Sequence, residues 1–194
     1  MAKANPSFSE VQIARRIKEG RGQGYGKDYI PWLTVQEVPS SGRSHRIYSH
    51  KTGRVHHLLS DLELAVFLSL EWESSVLDIR EQFPLLPSDT KQIAIDSGIK
   101  HPAIRGVDQV MSTDFLVDCK DGPFEQFAIQ VKPAAALQDE RTLEKLELER
   151  RYWQQKQIPW FIFTDKEINP VVKENIEWLY SVKTEGVSAE LLAQ

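Results

Sequence analysis

The chain has 194 residues, 41% hydrophobic and 27% charged, values ordinary for a soluble globular protein. That length suits one domain, or one domain and part of another. Cys119 is the only cysteine, which excludes an intramolecular disulfide and a cysteine-based zinc site. Met1 to Asn5 leads into no apolar stretch, and Leu62 to Leu70 is too short to cross a bilayer, so the expectation is a cytoplasmic protein with no membrane contact. The net charge of -4 argues against nucleic acid, but it divides into +6 over the first 60 residues and -10 over the rest. A basic front on an acidic body fits a phosphate-facing surface as well as it fits an unevenly charged solvated one.

Val11, Ile13, Ala14 and Ile17 recur at helical spacing and predict a helix over Phe8 to Glu19, stopped by the glycine-rich run at 20–26. Tyr29 to Val38 and Ser44 to His50 are rich in β-formers. With Pro39-Ser40-Ser41-Gly42 between them they predict a hairpin, and Lys51-Thr52-Gly53 marks a second turn. Ser60 opens a helix to about Glu73 that is apolar on nearly every side and so predicted to be buried. Ser75 to Glu81 reads as a strand and Phe83 to Lys100 as a long polar connection. Ser112 to Cys119 and Phe124 to Lys132 are strands around Lys120-Asp121-Gly122-Pro123, the strongest hairpin signal in the chain. Leu137 to Gln155 is a predicted helix and Trp160 to Thr164 a short strand. Val171 to Tyr180 is a last helix after the Asn169-Pro170 break. The order predicts an α/β domain with a mixed sheet and helices on both faces.

The second hairpin carries the sharpest chemical expectation. A turn centred on Asp121 and Gly122 places Asp114 opposite Ile129, within one residue of Gln130. Strand alternation then puts Gln130 and Lys132 on one face and Phe127, Ile129 and Val131 on the other. A carboxylate, an amide and an ammonium gathered on a sheet of Phe, Leu, Val and Ile call for a reason. A solvated cross-strand ion pair of Asp114 with Lys132 is one. A site completed by Glu63, in the first turn of the buried helix, is another. Glu63 has a competing role, because Ser60-Asp61-Leu62-Glu63 fits a capping box in which its carboxylate returns to the Ser60 N–H. His101, before Pro102, is a candidate ligand or proton carrier, more often a structural loop histidine. His56 and His57 suit DNA backbone or solvent better than metal. Glu149 shares a helix face with Leu146 and Trp153, so it could look toward the site from behind or simply be solvated. The tryptophans read as core or interface anchors.

Glu63, Asp114 and the Gln130-Val131-Lys132 triplet together resemble the restriction-endonuclease-like active site. Longer segments resemble the TnsA family, endonuclease subunits of heteromeric bacterial transposases: Ser41-Gly42-Arg43, Thr52 to Glu63, Ile79 to Leu85, Gly98-Ile99-Lys100-His101-Pro102 and Ile129 to Lys132. Gln130 stands where the general nuclease pattern has an acid, and within the TnsA resemblance a glutamine is the expected residue. The resemblance implies a restriction-endonuclease-like domain over residues 1–169. Residues 170–194 would open a helical, winged-helix-type partner-binding domain, too short to complete it, so a truncated one is expected. It also implies a Mg²⁺-dependent endonuclease, with Mn²⁺ able to substitute, that cuts the 5′ ends of a transposon. The metal would lean on Glu63, Asp114, Gln130 and the Val131 carbonyl, with Lys132 as a point charge. The implied partners are transposon-end DNA, a recombinase subunit and an ATPase regulator, which would supply site choice. The rival expectations are a repair nuclease or junction resolvase on the same fold, and a non-catalytic DNA-binding scaffold.

Overall fold

Helix α1 (Glu10–Lys18) starts where Ser9 and Gln12 close a capping box, and its buried Arg16 lies over the Phe8 ring. The computed structural model describes residues 7–38 and 43–168, with positions 171, 174, 175 and 178 beyond them. The 39–42 turn and the proposed 170–194 segment thus fall outside the described residues, apart from those four positions.

The segment from Tyr29 to Val38 corrects one expectation, since it forms no strand. Trp32, Leu33 and Val38 are buried in a small cluster with Leu59, and the Trp32 N–H donates to the Gln82 carbonyl at 3.2 Å. The Glu37 carboxylate explains the compact path. It accepts the Thr34 N–H at 3.0 Å, closing a turn, and is clamped by the guanidinium groups of Arg16 and Arg21. Strand β1 (His45–Tyr48) therefore pairs forward with β2 (Val55–Leu58), across the Lys51-Thr52-Gly53 turn. That turn is held from helix α2 (Asp61–Trp72), whose buried Glu71 accepts the Ser49 hydroxyl at 2.7 Å and the His50 N–H at 2.8 Å. Buried on nearly all sides, α2 matches its apolar sequence.

Strand β3 (Val76–Pro84) runs past its predicted end at Glu81. The expected loop after it contains helix α3 (Pro87–Ser97), with Pro87 at its first turn and Gly98 ending it at φ +65°. Two-residue strands β4 (Ala103–Ile104) and β5 (Val107–Asp108) make a small hairpin. Strands β6 (Ser112–Cys119) and β7 (Gln126–Val131) form the predicted hairpin, one residue out of the expected register: Phe115 pairs with Ile129. Helix α4 (Glu140–Gln155), capped by Asp139, then carries the chain to β8 (Trp160–Phe163), parallel to β7. An adjacent parallel strand requires such a crossover.

The main sheet has the order β3-β6-β7-β8 and is mixed. One face packs Ile79, Phe115, Val117, Ile129 and Val131 under α2, and the other packs Leu116 and Ala128 against Leu148 and Trp153 of α4 and Ile93 of α3. Helices cover both faces, as the element order predicted. Among the described residues no helix is long and apolar enough to cross a membrane.

Candidate active site

Every expected site residue lies at one end of the β6–β7 hairpin. The observed register sets Asp114 across from Gln130, and the Asp114 N–H donates to Gln130 Oε1 at 3.3 Å. Asp114 Oδ2 accepts the Val131 N–H at 2.8 Å and lies 3.6 Å from Lys132 Nζ. The same ammonium donates to the Val131 carbonyl at 3.0 Å. Asp114 is only 7% exposed and Gln130 5%, while the Lys132 side chain is 31% exposed, so the ion pair is half-buried rather than fully solvated.

Glu63 keeps a capping role and still faces the sheet. Its Oε1 accepts the Ser60 hydroxyl at 2.8 Å, while Oε2 accepts the Leu59 N–H, rather than that of Ser60, at 2.8 Å. Oε2 also accepts from Gln82 Nε2 at 3.2 Å, and that amide nitrogen lies 3.4 Å from Asp114 Oδ1. The cap thus orients the carboxylate toward the sheet instead of withdrawing it. Sequence reasoning missed Gln82. It is one of three consecutive polar residues, Arg80-Glu81-Gln82, in β3, and no local pattern singles it out.

Thr113, on one side of Asp114, is tied to Glu149. The Thr113 hydroxyl and Trp160 Nε1–H both donate to the Glu149 carboxylate, the latter at 2.9 Å, and Trp153 Nε1–H donates to Thr113 Oγ1 at 2.8 Å. Glu149 is therefore buried behind the site and not solvated. Burial outweighs these donors and Lys132 and pushes its carboxyl up from 4.5 to about 7. Between those values the native state binds a proton that the unfolded chain has released, so this residue makes stability fall as pH rises from 4.5 to 7, with no further loss above. The decline amounts to about 3 kcal/mol. Glu149→Gln is expected to flatten unfolding free energy across that window relative to the wild type. Denaturant titrations at pH 5, 6 and 7 check this, and a decline that persists in the variant would assign it elsewhere.

Other candidates sit apart. His101 is held by Thr90 Oγ1 at 3.0 Å. His56 is fully buried, which corrects its expected DNA or solvent contact, while His57 is half-buried and accepts the Val35 N–H on Nδ1. Trp32 and Trp153 are core residues, whereas Trp72 and Trp178 are exposed. About half of the described basic front is tied up in bonds within the chain. Arg16 and Arg21 bind Glu37, Arg54 binds Glu81, Arg15 binds Glu19, and Lys51 binds the Glu73 and Val76 carbonyls. Cations do gather by the site: Arg141 and Lys145 are one helical turn apart on α4, eight and four residues before Glu149. Burial, then Arg141 and Lys132 against the opposing pull of Asp139, holds the Lys145 ammonium below its ordinary value.

The donors around Asp114 are all hard oxygens: two carboxylates, the Gln130 amide and the Val131 carbonyl. Such a set fits Mg²⁺ or Mn²⁺. Two of them already attract the Lys132 ammonium, which marks a place favourable to positive charge. Among the described residues no three His, Cys, Asp or Glu side chains converge on one point. A cation here would rest on two acids and neutral oxygens.

A mixed sheet sandwiched by helices, with paired buried carboxylates and a lysine at one hairpin end, defines an α/β protein with an oxygen-donor site suited to phosphate chemistry. Residues 73–165 match the family described as TnsA-like endonuclease N terminal. The whole chain is 97% identical over 194 residues to the transposon Tn7 transposition protein TnsA of Escherichia coli, covering 71% of that protein. The chain belongs to the TnsA family of endonucleases.

Proposed function

We infer that this chain is the transposon-cutting endonuclease subunit of a transposition system, and that it hydrolyses DNA phosphodiesters at 5′ transposon ends with Mg²⁺. The observation that carries the site assignment is the convergence of Val131, Lys132 and Gln82 on the single buried carboxylate of Asp114. Glu63, Asp114, Gln130 and the Val131 carbonyl would hold the cation. When bound, it acidifies a water and offsets charge on the phosphate oxygens. Lys132, anchored by its N–H on the Phe163 carbonyl at 2.9 Å, keeps an ammonium where a phosphate oxygen would gain negative charge. Arg141 and Lys145 supply positive charge for neighbouring phosphates, a contact that positions DNA without reading its sequence.

In this proposal residues 1–169 form the catalytic domain, on a restriction-endonuclease-like fold. Residues 170–194 open the winged-helix-type part that docks the ATPase regulator, and a recombinase subunit processes the 3′ ends. A DNA substrate of this kind places the protein in the bacterial cytoplasm. The test is 5′-end cleavage of transposon DNA in the assembled system with Mg²⁺. Lys132→Ala is expected to lower the cleavage rate by roughly 10²–10³-fold with DNA binding retained. A Lys132→Ala variant that cuts as fast as wild type would remove Lys132 from the chemistry. Cleavage of branched DNA by the chain alone would favour a resolvase instead.

A further inference from the structure

Gln82 occupies a position that the proposed chemistry leaves without a role. It is 2% exposed, and at φ +48° it is a non-glycine residue in left-handed backbone inside a strand. Such backbone persists where the surroundings over-determine it, and often serves function. Here the surroundings grip it on both sides. The Tyr29 hydroxyl donates to the Glu81 carbonyl at 3.0 Å, the Trp32 N–H holds the Gln82 carbonyl, and the Phe83 ring stacks on Tyr29. The turned backbone also changes the facing of the strands. Phe115 packs in the cluster under α2, while Thr113, two residues away, bonds to α4.

The side chain so directed puts one amide nitrogen between two buried carboxylates, 3.2 Å from Glu63 Oε2 and 3.4 Å from Asp114 Oδ1. Buried carboxylates side by side repel, and two N–H groups relieve that repulsion without adding charge. The other end of the same amide is a hard oxygen. A half-turn about its last bond exchanges donor for acceptor at nearly constant shape. We propose that Gln82 is a further member of the metal site: it donates its N–H groups to Glu63 and Asp114 when no cation is present and turns its oxygen to a divalent cation that enters between them. The proposal rests on the metal-site assignment above. It explains how two acids can stay close and buried in the metal-free protein.

The test is calorimetric Mn²⁺ binding, together with thermal unfolding in a metal chelator, for the whole chain and its Gln82→Met and Gln82→Glu variants. Gln82→Met is expected to weaken Mn²⁺ binding by roughly 10–100-fold and to lower the chelator melting temperature. Gln82→Glu, nearly isosteric, adds a third acid. It is expected to melt lower than wild type in chelator, to bind Mn²⁺ about tenfold or more tightly, and to gain more stability from Mn²⁺. If Mn²⁺ affinity in both variants stays within about twofold of wild type, the amide only shapes the strand and the proposal fails while the metal site stands. A wild type that binds no Mn²⁺ overturns both.

Discussion

Asp114→Asn is expected to lower DNA cleavage by the assembled system by about 10³-fold or more while the protein stays folded. Every member of the site except Glu63 touches this residue, and Glu63 reaches it through Gln82. Its Oδ2 takes the Val131 N–H and faces Lys132, its Oδ1 faces Gln82, and its backbone N–H binds the Gln130 oxygen. Asparagine keeps one oxygen for the buried Val131 N–H, which would otherwise lose its acceptor at a cost of about 1–3 kcal/mol. What it removes is the negative charge that a cation or the Lys132 ammonium needs. Chemistry should therefore fail before stability does. Cleavage rates and melting temperatures measured on the same preparations separate the two, and residual cleavage within about tenfold of wild type would contradict a central role.

The largest stability effect is expected from Arg54→Met, a loss of about 3–5 kcal/mol. Arg54 grips the Glu81 carboxylate with two nitrogens, donates to the Gly26 and Ile79 carbonyls and lies over the Tyr29 ring, so one side chain ties three segments together. Glu81 has no exposed surface. Burial alone would raise its carboxyl, but the neighbouring His56 and Arg54 more than offset this and hold it well below the usual carboxylate range. His56 Nδ1 lies 2.8 Å from it but off the line of a hydrogen bond, so without Arg54 the charge keeps only that contact and the His57 N–H. Adding Glu81→Leu to Arg54→Met removes the stranded charge and is expected to recover part of the loss. Denaturant midpoints of the single and double variants check this. A single-variant loss under about 1 kcal/mol would mean the pair behaves like an exposed one.

The parts of the fold that local signals govern were legible in the sequence. Ser60 marked the start of α2, and the turn around Asp121 and Gly122 marked the β6–β7 hairpin. That hairpin by itself brought Asp114, Gln130 and Lys132 within reach of one another. A one-residue error in register left the grouping intact, because the site depends on the strand end and not on one exact pairing. Segment 29–38 misled because its β-formers are buried as an irregular stretch, folded by a Glu37 turn and by arginines from α1. Helix α3 was hidden because only Thr90, Ile93 and Ala94 are buried, too narrow a stripe to show as a period. The remaining misses are long-range. Gln82 meets Glu63 and Asp114 across 19 and 32 positions of chain, and Arg54 meets Glu81 across 27. No local pattern reports such contacts. Glu149 was half legible: its buried neighbours Leu146 and Trp153 marked its face, but the charged helix around it argued for solvent.

The measurement that bears most directly on the site is anomalous diffraction from crystals of the chain grown with Mn²⁺. The expected result is a peak bounded by Asp114, Glu63, Gln130 and the Val131 carbonyl, and lost in Asp114→Asn crystals. A well-ordered site with no peak there, or a peak held by other residues, would leave Glu63 as a helix cap and Asp114 as a strand-end acceptor, and the metal-dependent chemistry would have to lie elsewhere.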